Sequence, residues 1–539
     1  MLSKLIPRVQ LLYHDPTTFL ERASAKFKST KLWPDKHVKQ FVTHNQNAWC
    51  DWKFEDVSPT ILFDYYPIAE TEVARSYLLN ILAKKHRAKI ISYSTKKVSN
   101  IVWDEIYKSF NVAGHIVVKL SRKQKDKCDF IFEEVLSSIK TRRDLFDLNL
   151  LGVWIGVDIY EEFLMRYTEP TVIIGDYRLK HLIREGIEAL VFWKEYFEKH
   201  EVKAFVSSHI GLRLDKGLPV KIAGQLFGIP FYSTHARSMT CYPKPHLYHS
   251  EVERHYLSYH ERFNCLTISE QKKGLSWAEE RLQKRLSGTI GVDMAYSTKS
   301  AFTSDVSSKA VIKKNDRIKI LVATHEFYDS PNCYGGLLFM DFYEWLIFLG
   351  KISEKTNYDW YFKTHPDVLP ISKKVIQKIV DEHSLFQLVP PETSFHQLAE
   401  EGVEYVLTCY GSVGHECPLL GMKVINAGNN PHIGYDFNWN PKTVEEYETL
   451  LMNLDSLEKN MNPNDIYEFY HMHHNKKGVI DDWIYPSYYK MLTDLTEKER
   501  NGSAILPYFL DSLSTEKHQK IISRMSNFID SGVSGSPEV

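Results

Sequence analysis

The feature that most constrains this chain is an alternation of short apolar runs with stretches of helical spacing, played out twice. Residues 60–65 (TILFDY) form an apolar run closed by Pro67. Residues 69–86 then place Val73, Tyr77, Leu78 and Ile81 on one helical face, and 89–93 (KIISY) form a second run. Strand, helix and strand in that order predict a parallel βαβ unit. The pattern continues with strands at 114–120, 204–207 and 230–233 and helices at 129–139, 185–200 and 219–227. The stretch 152–167 (GVWIGVDIYEEFLMRY) fits neither period cleanly. After 296–316, which is rich in Ser, Thr, Lys and Asp, the alternation restarts. It gives strands at 318–324, 360–363, 385–389, 405–408 and 423–427. Helices are expected at 336–355, 371–382, 394–401 and 412–420. The expected fold class is therefore α/β, with two Rossmann-like domains facing across a central cleft. The divisions read as 1–55, an appendage with one helix near 17–28; 56–295, the first domain; 296–316, a linker; 317–440, the second domain; and 441–539, a helical region.

Composition narrows the partners. The chain has 539 residues, enough for two to four domains, with 43% apolar and 25% charged residues. Lys and Arg number 67 against 68 Asp and Glu, a formal net charge of −1. That balance excludes a chain-wide affinity for nucleic acid. The 13% aromatic content fits well-filled cores, or faces on which sugars and bases stack. Seven scattered cysteines, with no C-x-x-C spacing, give neither a disulfide framework nor a zinc site. Lys4, Pro7 and Arg8 interrupt the apolar start, so no secretory signal is read there. No run of about 18 apolar residues occurs, so no membrane-spanning helix is expected. These features point to a reducing, cytoplasmic setting.

In open α/β sheets ligands sit beyond the carboxyl ends of the strands, so the loops there are the first candidates for a site. Four stand out: Thr324-His325-Glu326, Lys363-Thr364-His365-Pro366, the loop from Cys409 to Glu416 (CYGSVGHE), and the loop from Ala427 to His432 (AGNNPH). In the third, Tyr410, Gly411 and Ser412 lie where a strand passes into a helix. Glycine permits close backbone approach, and helix N-terminal N–H groups suit phosphate. Ser412 is either a helix cap or a phosphate ligand. Glu416, one turn on, is placed to accept from ribose hydroxyls. Lys363 and His365 add charge and donors to the same phosphate, although His365-Pro366 also serves simply to end a strand.

The Lys-x-His-Pro loop followed by a Ser-centred loop with a downstream Glu resembles the nucleotide-binding domain of GT-B glycosyltransferases, over roughly residues 317–440. It is most similar to bacterial capsule and lipopolysaccharide synthesis enzymes that use CMP-activated ulosonic acids, Kdo and sialic acids. In that group the His-Pro and Ser motifs hold the CMP moiety; His365, Pro366, Ser412 and Glu416 are the matching positions. The sialyltransferase motif is usually Ser-Ser or Ser-Thr. Gly411-Ser412-Val413 departs from it and fits the capsule-synthesis group better. The resemblance implies a GT-B fold and transfer of Kdo or a related ulosonic acid from a CMP-sugar donor, with retention. The acceptor it implies is a surface glycan or glycolipid, with peripheral contact at the inner membrane face or with capsule-assembly proteins. No cofactor beyond the donor substrate is implied.

Two N-terminal segments offer acids and bases. One carries Asp158, Glu161 and Glu162 ahead of Arg166; the other is Ser207-Ser208-His209, after the strand at 204–207. Both loosely resemble segments of the same group, in the forms GD-x-x-YD-x-x-x-R and SH-x-x-x, with Glu161 as the second acid and Val157 in place of a Gly. Asp158, Glu161 and His209 are the catalytic candidates, with Asp176, Asp215 and His235 behind them. Oxocarbenium-like chemistry requires such carboxylates, as base or as nucleophile. The alternative is an ion-pair cluster around Arg166 and a structural His209. No Asp-x-Asp, H-E-x-x-H or Cys/His ligand spacing occurs, so no metal is expected. Competing readings of the same architecture are a nonhydrolysing UDP-sugar epimerase, a CDP-polyol phosphotransferase, and a non-catalytic capsule-assembly scaffold.

Overall fold

The computed structural model describes residues 35–54, 59–95, 100–207, 213–235, 238–242, 254–293, 299–303, 309–328, 330–332, 335–365, 368–475, 484–485, 491 and 494–532. The expected helix near 17–28 lies outside them.

Two sheets organise these residues. The first contains β1 (Thr60–Asp64), β2 (Lys89–Ser94), β3 (Val112–Val117), β6 (Val202–Ser207), β7 (Phe231–His235) and β8 (Ser238–Tyr242). Its order is β3-β2-β1-β6-β7-β8, parallel throughout except for the antiparallel β7–β8 pair. A small hairpin, β4 (Asn149–Leu150) and β5 (Val153–Trp154), stands apart. The second sheet contains β9 (Lys319–Ala323), β10 (Asp359–Lys363), β11 (Phe386–Leu388), β12 (Tyr405–Thr408) and β13 (Lys423–Asn426). Its order is β11-β10-β9-β12-β13, all parallel. Parallel strands are covered on both faces by crossover helices, which is why β1, β10 and β12 are apolar at their centres and buried along their whole length. Two such sheets in succession give the two Rossmann-like α/β halves expected from the sequence. Among the described residues no helix is long and apolar enough to cross a membrane.

Four local features depart from the expected pattern for physical reasons. The ambiguous stretch becomes the β4–β5 hairpin followed by the helix Gly156–Tyr167. Gly156 starts that helix because a Cβ there would lie 1.9 Å from the Leu145 carbonyl. The helix expected from 336 begins only at Phe342. Gly335 and Gly336 both take positive φ, 65° and 57°, and Asp341 caps the start by accepting from the Glu344 N–H. The helix expected over 412–420 is a four-residue turn, Val413–Glu416, that tightens into a 3-10 turn at Cys417–Leu420, with Pro418 at its start. Finally, the helix Lys36–Ala48 enters the first domain's core through Val38, Phe41 and Val42. The C-terminal helix Thr515–Ser531 closes the same core with Ile521, Met525 and Phe528.

The halves meet along a polar seam. Tyr160 donates to Asp341 Oδ2 at 2.5 Å. Glu161 accepts from the Asn332 backbone N–H at 2.9 Å and from its Nδ2 at 2.7 Å. Arg142 pairs with Glu344 at 2.8 Å. Met340, from the second half, joins the apolar cluster of the first.

Candidate functional site

The second sheet reverses its strand order between β9 and β12, which opens a crevice at their carboxyl ends. A cavity occupies that position. Its lining comes from the loops after β9 (Thr324, His325), β10 (Lys363, Thr364, His365) and β12 (Thr408, Gly411, Ser412, Val413, Glu416). Residues of the 285–302 segment, among them Arg285, Ile290, Lys299 and Phe302, close the other side. Phe302 fixes that segment by stacking on Phe395 at 5.3 Å, and the Phe395 N–H donates to the Ala301 carbonyl at 3.1 Å.

Five of the seven binding candidates line this cavity: Lys363, His365, Gly411, Ser412 and Glu416. Their individual settings differ from the sequence expectation. Ser412 stands at the head of the short turn without capping it; its hydroxyl donates instead to Glu416 Oε2 at 3.0 Å. Glu416 is buried, and its other carboxylate oxygen accepts from Arg285 Nε. Lys363 is buried and donates to the Pro391 carbonyl. Burial pulls its ammonium down to about 8, against the favourable charge of Glu392. His365 is exposed at the cavity. Tyr410 is not among the lining residues: its hydroxyl donates to the Gly335 carbonyl at 3.3 Å, and its ring stands edge-on to Phe342. Pro366 lies outside the described residues. With only four α-helical residues after Ser412, the dipole the expectation relied on is short, and side-chain cations carry more of the positive field.

Two residues of the site were not among the binding candidates, although the loop that carries the first of them stood out in the sequence. His325 accepts the backbone N–H groups of Cys409 (3.1 Å) and Tyr410 (3.3 Å) at Nε2 and stacks on Phe342 at 4.7 Å. It is neutral and shapes the Gly411–Ser412 loop from below. Burial, then the neighbouring His365 charge, hold it at about 4. Its position directly after β9 was the available signal. Arg285 had none, because it lies 131 residues from Glu416.

Gly411 is required by space. A Cβ there would lie 2.7 Å from Thr408 Oγ1 and 3.1 Å from Val413 Cγ2. Gly411→Ala should therefore cost about 1–3 kcal/mol and displace the Ser412 loop. Thermal unfolding checks this; an unchanged transition would show that the loop absorbs the methyl group.

The N-terminal candidates sit apart from this cavity. Asp158 is buried and paired with Lys221, which also donates to the Trp154 carbonyl at 2.9 Å. Burial raises the Asp158 carboxyl, and Lys221 opposes that rise. Glu161 faces Asn332 across the seam, and burial pushes it up to about 8. Glu162 pairs with Arg166 at 2.8 Å and stands 3.7 Å from Arg213. Asp176 caps the helix Tyr177–Lys199 and pairs with Arg178. Asp215 lies 3.8 Å from Arg213. His209 and the His235 side chain lie outside the described residues. A further charge network, absent from the sequence reading, sits at the carboxyl end of β1. There Arg75 pairs with Asp64 at 2.6 Å and with Glu72 at 2.9 Å. Among the described residues no group of three or more His, Cys, Asp or Glu is placed to hold a metal ion.

No family model matches the chain, and no curated protein does. Solved structures with a similar chain trace include KpsC of Thermosulfurimonas dismutans, a β Kdo 2,4 transferase. It is 14% identical with a TM-score of 0.29, over 51% of this chain and 85% of that one. The UDP-GlcNAc 2-epimerase of Neisseria meningitidis, bound to UDP-GlcNAc, is 10% identical with a TM-score of 0.21, over 78% and 95%. A UDP-glucosyltransferase of Polygonum tinctorium is 10% identical with a TM-score of 0.17, over 88% and 99%.

Proposed function

We propose that the protein is a glycosyltransferase that binds a CMP-activated sugar, an ulosonic acid such as Kdo, and transfers it to a surface glycan or its lipid-linked precursor. One observation carries this reading. His365 and Ser412, the two motif residues assigned to the CMP phosphate from sequence, come from separate loops and line one cavity with Arg285, Lys299 and Lys363. Three cations around a strand-end crevice suit an anionic ligand, and the glycine–serine turn leaves N–H donors at its start. In this reading the cations meet the phosphate charge as CMP departs, and the facing N-terminal domain supplies the acceptor surface.

The test is a thermal-shift panel. CMP should raise the transition temperature more than UDP or CDP. A preference for UDP would turn the reading to an epimerase, for CDP to a polyol-phosphate transferase, and no response to any nucleotide to a scaffold. His365→Ala and Ser412→Ala should each weaken CMP binding by about 1–3 kcal/mol, the worth of a charge-assisted hydrogen bond. Unchanged affinity in both would remove the site. Transfer should also survive EDTA, because no Asp-x-Asp motif is present to hold a metal on a diphosphate. Activity abolished by chelation and restored by Mg²⁺ or Mn²⁺ would require a metal site.

A further inference from the structure

We propose that Arg285 is the residue that takes the donor phosphate, and that its ion pair with Glu416 is a placeholder which the phosphate displaces. The inference rests on the nucleotide-binding reading above and names the group that discharges it. Three cations line the cavity, and their surroundings separate them. Lys363 is buried, its ammonium already donates to the Pro391 carbonyl, and its charge is costly where it sits. Lys299 is exposed and therefore hydrated. Arg285 keeps its charge at any working pH and is only 13% exposed at its side chain.

The donors of Arg285 are unevenly used. Nε donates to Glu416 Oε1. Among the described residues the two terminal nitrogens make only long contacts, 3.5 Å to the Val292 carbonyl and 3.5 Å to Ser412 Oγ. A guanidinium offers five N–H groups in a planar fork, so most of the fork is unspent at the side that faces Ser412. A phosphate oxygen bound by the Ser412 hydroxyl comes within reach of that fork.

Glu416 completes the argument. Its two oxygens are held by Arg285 and Ser412, the same two donors a phosphate would use. The carboxylate keeps the buried guanidinium paired. Unpaired, that charge would be expensive. An incoming phosphate replaces one anion by another, so the cation is never left alone. The displaced carboxylate is then available to a ribose hydroxyl. Arg285 comes from the helix Ile268–Leu286, which precedes the 296–316 stretch, so the nucleotide site draws on chain outside the second α/β series.

The consequence is a phosphate-dependent affinity that a merely structural role would not give. Calorimetric titration of CMP and of cytidine reads it, on wild type, on Arg285→Met, and on Arg285→Met combined with Glu416→Gln. The double variant removes the stranded carboxylate in case the single variant folds poorly. CMP affinity should fall about 10–100-fold in both variants while cytidine affinity in Arg285→Met stays within about threefold. A parallel loss of CMP and cytidine in Arg285→Met would reduce Arg285 to a support for Glu416, and unchanged CMP affinity would place the phosphate elsewhere. If wild type binds no CMP, the nucleotide reading fails by itself, and inorganic pyrophosphate becomes the probe. A pyrophosphate thermal shift lost in Arg285→Met keeps Arg285 as an anion residue. An equal shift in both proteins, or none in either, removes it.

Discussion

Arg75→Ala should cost about 3–5 kcal/mol of stability, the largest single effect expected in the chain, because it strands the buried Asp64 carboxylate and leaves the buried Glu72 carboxyl without its donor. Arg75 is fully buried in the helix Ala69–His86. Its guanidinium donates to Asp64 Oδ1 at 2.6 Å, to the Asp64 carbonyl at 2.8 Å and to Glu72 Oε1 at 2.9 Å. After its removal Asp64 keeps Lys216, 3.9 Å from its Oδ2. Burial has already pushed Glu72 up to about 8, with Arg75 as the main force holding it down. Without Arg75, Glu72 keeps its proton to still higher pH and Asp64 is left with Lys216. Because Asp64 ends β1, the network ties the helix Ala69–His86 to that strand end. Urea unfolding reads the cost. Replacing the whole triad (Asp64→Asn, Glu72→Gln, Arg75→Met) should recover part of it, since an uncharged core avoids the desolvation penalty. A loss below about 1 kcal/mol for Arg75→Ala would mean that water reaches the network.

The strands were legible and the charge networks were not, and the difference is one of range. A parallel strand buried on both faces must be apolar along its length, and a turn residue must close it, so TILFDY, KIISY and YVLT announce themselves locally. Edge strand β3 was placed two residues late because its alternating burial leaves a weaker signal. The helix Lys36–Ala48 was missed although its cap Asp35 and its buried face, Val38, Phe41, Val42 and Asn45 at i, i+3, i+4 and i+7, are local signals; what was not legible is that the Thr515–Ser531 helix covers the same core. Ser412 and His365 were legible as strand-end residues. What holds Glu416 was not, since nothing near position 416 in sequence calls for Arg285. The acidic stretch was legible as a cluster, and so was the local pair of Glu162 with Arg166 four residues on, whereas the rest of its division of labour depends on two distant partners: Lys221 for Asp158 and Asn332 for Glu161.

Glu161 makes the second large prediction, because its surroundings assign it to the seam between the halves. Its Oε1 accepts two bonds from Asn332, whose Nδ2 also donates to the Met340 carbonyl at 3.0 Å. Its Oε2 is buried with no partner among the described residues. Burial raises its carboxyl from an ordinary 4.5 to about 8, with Asp341 and Asp158 adding to the rise and the Asn332 bonds opposing it. The sign follows from linkage. Between those two values the unfolded chain has released the proton and the folded chain retains it, so stability falls as pH rises, by about 1.4 kcal/mol per unit for one fully coupled group. Asp341, raised by burial to about 6, steepens the lower part of the same window. Glu161→Gln keeps an acceptor for Asn332 and removes the titration. The variant should match wild type near pH 5 and exceed it by about 2–4 kcal/mol at pH 8, in chemical denaturation followed across that range. Parallel pH profiles would show that the carboxyl is already ionised and water-accessible. A rate comparison separates the seam from chemistry. With its carboxyl turned to Asn332, Glu161→Gln should transfer sugar within about tenfold of wild type, whereas an essential nucleophile or base would lose several orders of magnitude. The larger loss would return Glu161 to the reaction, with Asn332 as the group that holds it until the halves move apart.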